Sequence, residues 1–215
     1  MMSRSLFLIV FFITSNLFAQ RQQKIDSLES ELSKADNSLE KVDILHDLWN
    51  ENINNDINKA VENSNQMIKL GNALKIDTIR SFGYVKKAIT YAYMDNFDSS
   101  GVYFRKALKI YDDINDFQKK ASVLRNLGQD QHMMNNLDSA FYYYDQSGKN
   151  YKKINDSVGM ADVLNTKAIV YLQKSYFNLA LENATESEKI YSSLDLKQDL
   201  YQNRMVIASI YASMK

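Results

Sequence analysis

The sequence predicts an all-α chain, an α-solenoid of antiparallel helix hairpins with a period of about forty residues. Three observations carry this prediction. The stretch from Asn96 to Asp116, "NFDSSGVYFRKALKIYDDIND", is written again from Asn136 to Asp156 as "NLDSAFYYYDQSGKNYKKIND", with nine of 21 positions identical. The 215 residues contain no proline and six glycines. Both residues weaken helix interiors, so their scarcity favours long helices and argues against a turn-rich β fold. Within one copy, Leu124, Leu127, Gly128 and Gln131 fall at i, i+3, i+4 and i+7, while Ala140, Tyr144, Ser147 and Tyr151 fall at i, i+4, i+7 and i+11. Each set is one face of an α-helix.

The N-terminus, residues 1–19, is expected to be a signal peptide. Arg4 precedes an apolar run from Leu6 to Ile13, and a short polar stretch leads to Leu17-Phe18-Ala19. The apolar core is well short of the roughly 20 residues that span a bilayer; an uncleaved anchor is the alternative. Cleavage after Ala19 would leave a chain beginning near Gln20 and working on the periplasmic or extracellular side, membrane-anchored if it is part of a longer protein. No later segment is apolar enough to cross a membrane, so no direct membrane insertion is expected once the signal peptide is gone.

Residues 20–37 are expected to hold a capping helix, with Ile25, Leu28, Leu32 and Ala35 as its apolar stripe. Continued through Leu39 and Val42, the stripe also fits a short coiled-coil seam. Asp36-Asn37-Ser38 with Glu40 reads instead as a break and a helix N-cap, which favours a helix folded onto the array.

The array is expected over 38–215, in repeats of about 38–76, 77–116, 117–156 and 157–196 and a half repeat 197–215. A small residue recurs at Ala88, Gly128, Ala168 and Ala208, and a second small slot at Ala60, Ser100, Ala140 and Ala180. Phe104 and Tyr144 follow, then Ala107, Ser147 and Ser187, then Tyr111, Tyr151 and Tyr191. Small residues facing aromatic rings let two helices approach closely. Asp98 and Asp138 are read as caps of the second helices, and the "IND" at 114–116 and 154–156 as caps of the next first helices. The first copy is degenerate, with Leu48 and Glu51 in the small and tyrosine slots, as terminal repeats often are. At the far end, Met205 to Ala212 is apolar almost all round. A missing second helix, a partner chain or a self-association contact is expected to cover it, and the front part of a longer protein is the favoured reading.

A forty-residue period suits HEAT and armadillo units. The slots decide otherwise: Leu127-Gly128, Tyr91, Tyr171 and Tyr211, Ala140 and Ala180, aromatic residues at 104 and 144, and Ala107 resemble the tetratricopeptide consensus in a longer variant. The resemblance covers roughly Glu40 to Lys215 and implies a superhelix whose first helices line a concave, partner-binding side. Carrying the groove-facing slots over gives Trp49, Tyr93, Arg125, Gln129, His132, Asn165 and Gln173. Arg125 could hold a carboxylate, Gln129 and Asn165 could bond a peptide backbone, and Trp49 and Tyr93 offer apolar contact. The competing reading for each is a solvated helix face or hairpin packing. The basic clamp that binds chaperone tails is not present, since the comparable slots hold Val85 and Ile89, or Asp162 and Thr166.

No catalytic constellation is visible, and neither enzyme activity, cofactor nor metal is expected. Cysteine is absent, which removes disulfides, thiolate metal sites and cysteine nucleophiles. Asp130 and His132 are two apart and do not share a helix face, and Asp112, Asp113 and Asp116 lack the ligand spacing of a calcium loop. The tyrosines, at helical spacing, read as core. Basic and acidic residues balance at 26 each, so no nucleic acid or anionic-membrane partner is implied. The order of parts resembles the exported sensory region of tetratricopeptide histidine kinases and transcriptional regulators of Bacteroidota. That resemblance implies a protein- or peptide-binding input module for signal transduction, without an output domain in these residues. A stand-alone envelope scaffold or adaptor is the alternative.

Overall fold

The computed structural model describes residues 4–35 and 38–215. Asp36 and Asn37 of the expected break, and the first three residues of the expected signal peptide, lie outside the described residues. The described residues form ten α-helices and no strand: α1 (Arg4–Lys34), α2 (Ser38–Asn52), α3 (Ile57–Leu74), α4 (Asp77–Tyr93), α5 (Phe97–Asp113), α6 (Phe117–Met133), α7 (Leu137–Lys153), α8 (Ser157–Gln173), α9 (Phe177–Ser193) and α10 (Lys197–Ser213). The all-α solenoid of hairpins is the observed fold class. It divides into two compact units, one up to Asp95 and one from Asn96.

From α4 onward every helix has 17 residues and every connector three. The forty-residue period is therefore two equal halves of twenty. Each connector holds one residue at positive φ, and these fall twenty apart at Lys75, Asp95, Asn115, Asn135, Asn155, Ser175 and Asp195. None of them is glycine. At each such connector from Asn115 to Asp195 the left-handed residue's N–H donates to the carbonyl three back. The next N–H reaches five back, as from Asp116 to Tyr111 at 2.9 Å and Asn136 to Gln131 at 2.8 Å. These paired bonds close the helix end and reverse the chain.

The capping aspartates between hairpins behave as expected. Asp116 accepts from the Lys119 N–H and Asp156 from the Gly159 N–H. Asp56 does the same for α3, accepting from the Asn58 and Lys59 N–H groups. Within hairpins the expectation fails. Asn96, not Asp98, caps α5 by accepting from the Ser99 N–H. Asp98 and Asp138 lie in the first turns of α5 and α7, where a carboxylate meets the positive helix end without capping it. The cap must sit before the first helical residue, and the helices begin two positions earlier than a cap at Asp98 or Asp138 would place them.

In the first unit the stripe Ile25, Leu28 and Ala35, with Leu32, packs on Ile44 and Leu48 of α2. The other face of α2 brings Leu45, Trp49 and Ile53 against Ala60 and Met67 of α3, with Phe82 and Ile89 of α4 alongside. Gly71 lets α3 and α4 touch at their backbones, since a Cβ there would lie 2.5 Å from the Arg80 nitrogen.

In the second unit the expected pairing of small slot and ring is literal. A Cβ on Gly128 would lie 2.6 Å from the Tyr144 ring, and one on Gly159 would run into Tyr151. Tyr111, Tyr144, Tyr151 and Tyr191 are all buried, as core tyrosines should be. Ser147 and Ser187, forty residues apart, make the same bond: each hydroxyl donates to a carbonyl of the paired first helix, at Ala121 (2.7 Å) and Ala161 (2.9 Å). Val206 and Ile207 pack on the cluster of Ala168, Ala180, Ala184 and Ile210. So α10 is not apolar all round in the fold; its bare part is Met205, Ala208, Tyr211 and Ala212.

These contacts set two alanine substitutions against each other. Gly128→Ala should destabilise the protein by about 1–3 kcal/mol through overpacking against Tyr144. Gly148→Ala meets only Val163 at an ordinary 3.6 Å. It should instead stabilise by up to about 1 kcal/mol through helix propensity. Urea denaturation of the two variants reads the opposite signs.

Candidate functional site

The first helices of the last three hairpins, α6, α8 and α10, are neighbours joined by polar side chains. Arg125 Nη1 lies 2.6 Å from Asp162 Oδ2. His132 Nε2 lies 2.6 Å from Gln173 Oε1, and Gln173 Nε2 donates to Asn135 at 3.1 Å. Asn203 Nδ2 donates to Asn165 Oδ1 and to the Ala184 carbonyl, both at 3.1 Å. Asn203 is fully buried, and its own Oδ1 has no hydrogen-bond partner.

Between these helices lies a polar notch of about 260 Å³. Arg125 lines it from α6, Asp162, Asn165 and Thr166 from α8, Tyr191 from α9, and Asp199 and Gln202 from α10. Asp162 organises one wall. It holds Arg125 with one oxygen and accepts from the Tyr191 hydroxyl at 2.7 Å with the other, while its backbone carbonyl accepts from the Thr166 hydroxyl at 2.7 Å. Burial, followed by the bond to Asp162, holds the Tyr191 phenol well above its usual range, so it acts as a donor. Asp199, Gln202 and the amide nitrogen of Asn165 bond to no other described residue.

The seven groove residues named from the slots fall apart by unit. Trp49 and Tyr93 are in the first, and the other five in the second. Trp49 is corrected: it is 6% exposed, and its indole N–H donates to Thr90 Oγ1 at 2.8 Å. Lys86 lies over its ring, 4.1 Å from the centroid. It is a packing residue, part of the cluster of Leu45, Ile53, Ala60 and Met67. Tyr93 is 60% exposed at the end of α4. Gln129 is exposed on α6, and His132 and Gln173 pair with each other. Arg125 and Asn165 share the notch, but Arg125 is already answered by Asp162, so it does not offer a free charge to a carboxylate.

Asp162, Thr166, Tyr191, Asp199 and Gln202 were missed by the slot reading. Asp162 and Thr166 had registered only as the lack of a basic clamp. The available signal was charge opposition: Arg125 and Asp162 sit 37 apart, close to one period, on consecutive first helices.

Asp130, next to this face in sequence, points away from it. It is 4% exposed and accepts from the Ser100 hydroxyl at 2.6 Å, which separates it from His132 as their spacing required. Among the described residues no group of three or more His, Asp or Glu is placed to hold a metal, and no helix is long and apolar enough to cross a membrane. Burial pushes the Asp130 carboxyl up to about 6 from 3.8, against the Ser100 hydrogen bond, which lowers it. Between these values the folded chain holds the proton more tightly than the unfolded chain. Stability from this group therefore falls as pH rises from about 4 to about 6, and stays low above. Asp130→Asn keeps an acceptor for Ser100 and removes the buried charge. It should raise stability at pH 8 by about 2 kcal/mol, a gain that disappears below about pH 4 in urea melts.

Among known proteins, the tetratricopeptide repeat family profile matches residues 81–153. No curated protein matches the chain. Solved structures match its fold. The crystal structure of BtubC (BKLC) from P. vanneervenii superposes with a TM-score of 0.80 at 17% identity, over 90% of this chain and 84% of that one. The apo form of RapI gives 0.63 at 10% identity, over 93% and 80%. A signal transduction ATPase with numerous domains, with a tetratricopeptide repeat sensor, from Pyrococcus horikoshii gives 0.72 at 17% identity, over 92% of this chain but 30% of that one. The forty-residue units of this chain are thus of tetratricopeptide type where residues 81–153 match, and the fold is that of the tetratricopeptide-like solenoids.

Proposed function

We propose that the chain is a binding module for a protein segment, held along the α6, α8 and α10 face, and that it serves as the exported input part of a signal-transduction protein. The observation that carries this reading is the notch. Its amide and carboxylate groups without side-chain partners, the amide nitrogen of Asn165 on α8 and Asp199 and Gln202 on α10, face one cavity from neighbouring first helices, which offers a bound segment both donors and acceptors. Neighbouring side chains fix Arg125, Asp162 and Asn165, so little ordering is left to do on binding. The tetratricopeptide match and the sensor role named for the Pyrococcus horikoshii protein support the input reading. The basic and apolar start of the sequence supports export.

A second reading, an envelope scaffold or adaptor, is favoured by α10. Tyr201 is 67% exposed and Met205 54%. Tyr201 occupies the slot where Ala121 and Ala161 are fully buried in α6 and α8. A bare face at a position otherwise covered is suited to assembly.

Random nonapeptides displayed against the full chain, with hydrogen exchange to map the winners, test the first reading. Protection centred on α6, α8 and α10 is expected; protection confined to α10's outer face would transfer the case to the scaffold. For export, a reporter phosphatase fused after Lys215 should be active only outside the cytoplasm. Ile9→Arg, which breaks the apolar run, should abolish that activity. A reporter equally active with and without the change would remove the exported part of the proposal.

A further inference from the structure

We propose that the notch between α6, α8 and α10 receives a positively charged side chain of the bound segment, the ammonium of a lysine or the guanidinium of an arginine. This rests on the peptide-binding reading above and adds the chemistry that the site selects.

The argument is a charge balance inside one cavity. Three charged groups line the notch: Arg125, Asp162 and Asp199. Arg125 and Asp162 neutralise each other at 2.6 Å, and the second Asp162 oxygen is occupied by the Tyr191 hydroxyl. Asp199 is left as the one charge in the notch without a side-chain partner. It sits in the first turn of α10, half-exposed, and no hydrogen bond or ion pair from another described residue meets it. The groups around it complete a cation site. Gln202 offers a carbonyl oxygen, and Thr166 has lone pairs left after donating to the Asp162 carbonyl.

The other occupants fit worse. An anion would face Asp199 and find Arg125 already engaged. An apolar side chain would strip water from the Asp199 carboxylate and return nothing. A cation gains a charge-assisted bond to Asp199. The register of the segment follows from Asn165. Its oxygen accepts from buried Asn203, so its amide nitrogen remains to donate. That nitrogen suits a backbone carbonyl of the segment beside the charged residue.

The nonapeptide library selected on the full chain provides the test, repeated with Asp199→Asn and with Gln202→Lys. The second variant places a competing cation in the notch and guards against a fold defect in the first; circular dichroism and melting verify both. Lysine or arginine should be enriched at one peptide position. Replacing that residue by norleucine in a resynthesised winner should weaken binding about fivefold to tenfold, and both variants should reduce wild-type affinity similarly and abolish the enrichment. Peptides that protect α6, α8 and α10 without a basic preference, or that bind both variants unchanged, would overturn the cation site and leave the binding face standing. Peptides that leave this face unprotected would overturn both.

Discussion

The residue held at positive φ between successive helices is the constraint on which the rest of the chain depends. An L-residue there costs about 1 kcal/mol or more relative to the right-handed region, and asparagine and aspartate pay least because their short polar groups bond locally. Here Asn115, Asn135 and Asn155, with Asp95 and Asp195, take five of the seven places, and Lys75 and Ser175 the others. In return the chain reverses within three residues and the last carbonyls of each helix are satisfied. Helices of 17 residues, about 25 Å long, then lie antiparallel with no slack. Because the reversals are alike, a slot on one first helix returns beside the same slot of the next. Ties at sequence separations of 37, 38 and 41 residues in the second unit, from Arg125 to Asp162, Asn165 to Asn203 and His132 to Gln173, are the result.

That constraint also explains what could be read in advance. Where the copies repeat a residue because a helix must approach, the sequence carries the information openly. Gly128 under Tyr144 and Ser147 over Ala121 are instances. The left-handed positions follow the same twenty-residue rhythm but were hidden, since lysine, aspartate, asparagine and serine share a backbone conformation and no side-chain class. Asn96 was passed over as a cap in favour of Asp98 for a related reason. A cap is defined by where the helix begins, and polar residues on both sides of Phe97 leave that start undetermined. Trp49 misled differently: slot logic placed it outside, but its indole packs with Leu45, Ile53, Ala60 and Met67 and donates to Thr90.

The polar contacts of the candidate site needed a further level, the register between stacked helices. Nothing local links Arg125 with Asp162. Their pairing requires that α6 and α8 be neighbours offset by roughly one turn, which the forty-residue period only approximates. Asp130 belongs with them. The serine at position 100 in an otherwise alanine slot, at Ala60, Ala140 and Ala180, is the one place where the buried carboxylate finds a donor. Two departures from the repeat, thirty residues apart, thus answer each other in the fold.

The departures from the repeat therefore mark the candidate site better than the repeat does. Slots at which helices touch are held small by packing and vary little: Ala88, Gly128 and Ala168. The outward slot at 85, 125, 165 and 205 has no such constraint and holds valine, arginine, asparagine and methionine. In the second unit Arg125, Asn165 and Met205 can differ without cost to the stacking. The slots comparable to a basic clamp hold Val85 and Ile89, or Asp162 and Thr166. The last two are built into the notch, since Asp162 is bonded at both oxygens and its carbonyl holds Thr166. A carboxylate fixed at both oxygens, with a second one lacking a side-chain partner across the notch, is a construction of its own. The cation site proposed for the notch would reverse the sign of the charge that a basic clamp accepts.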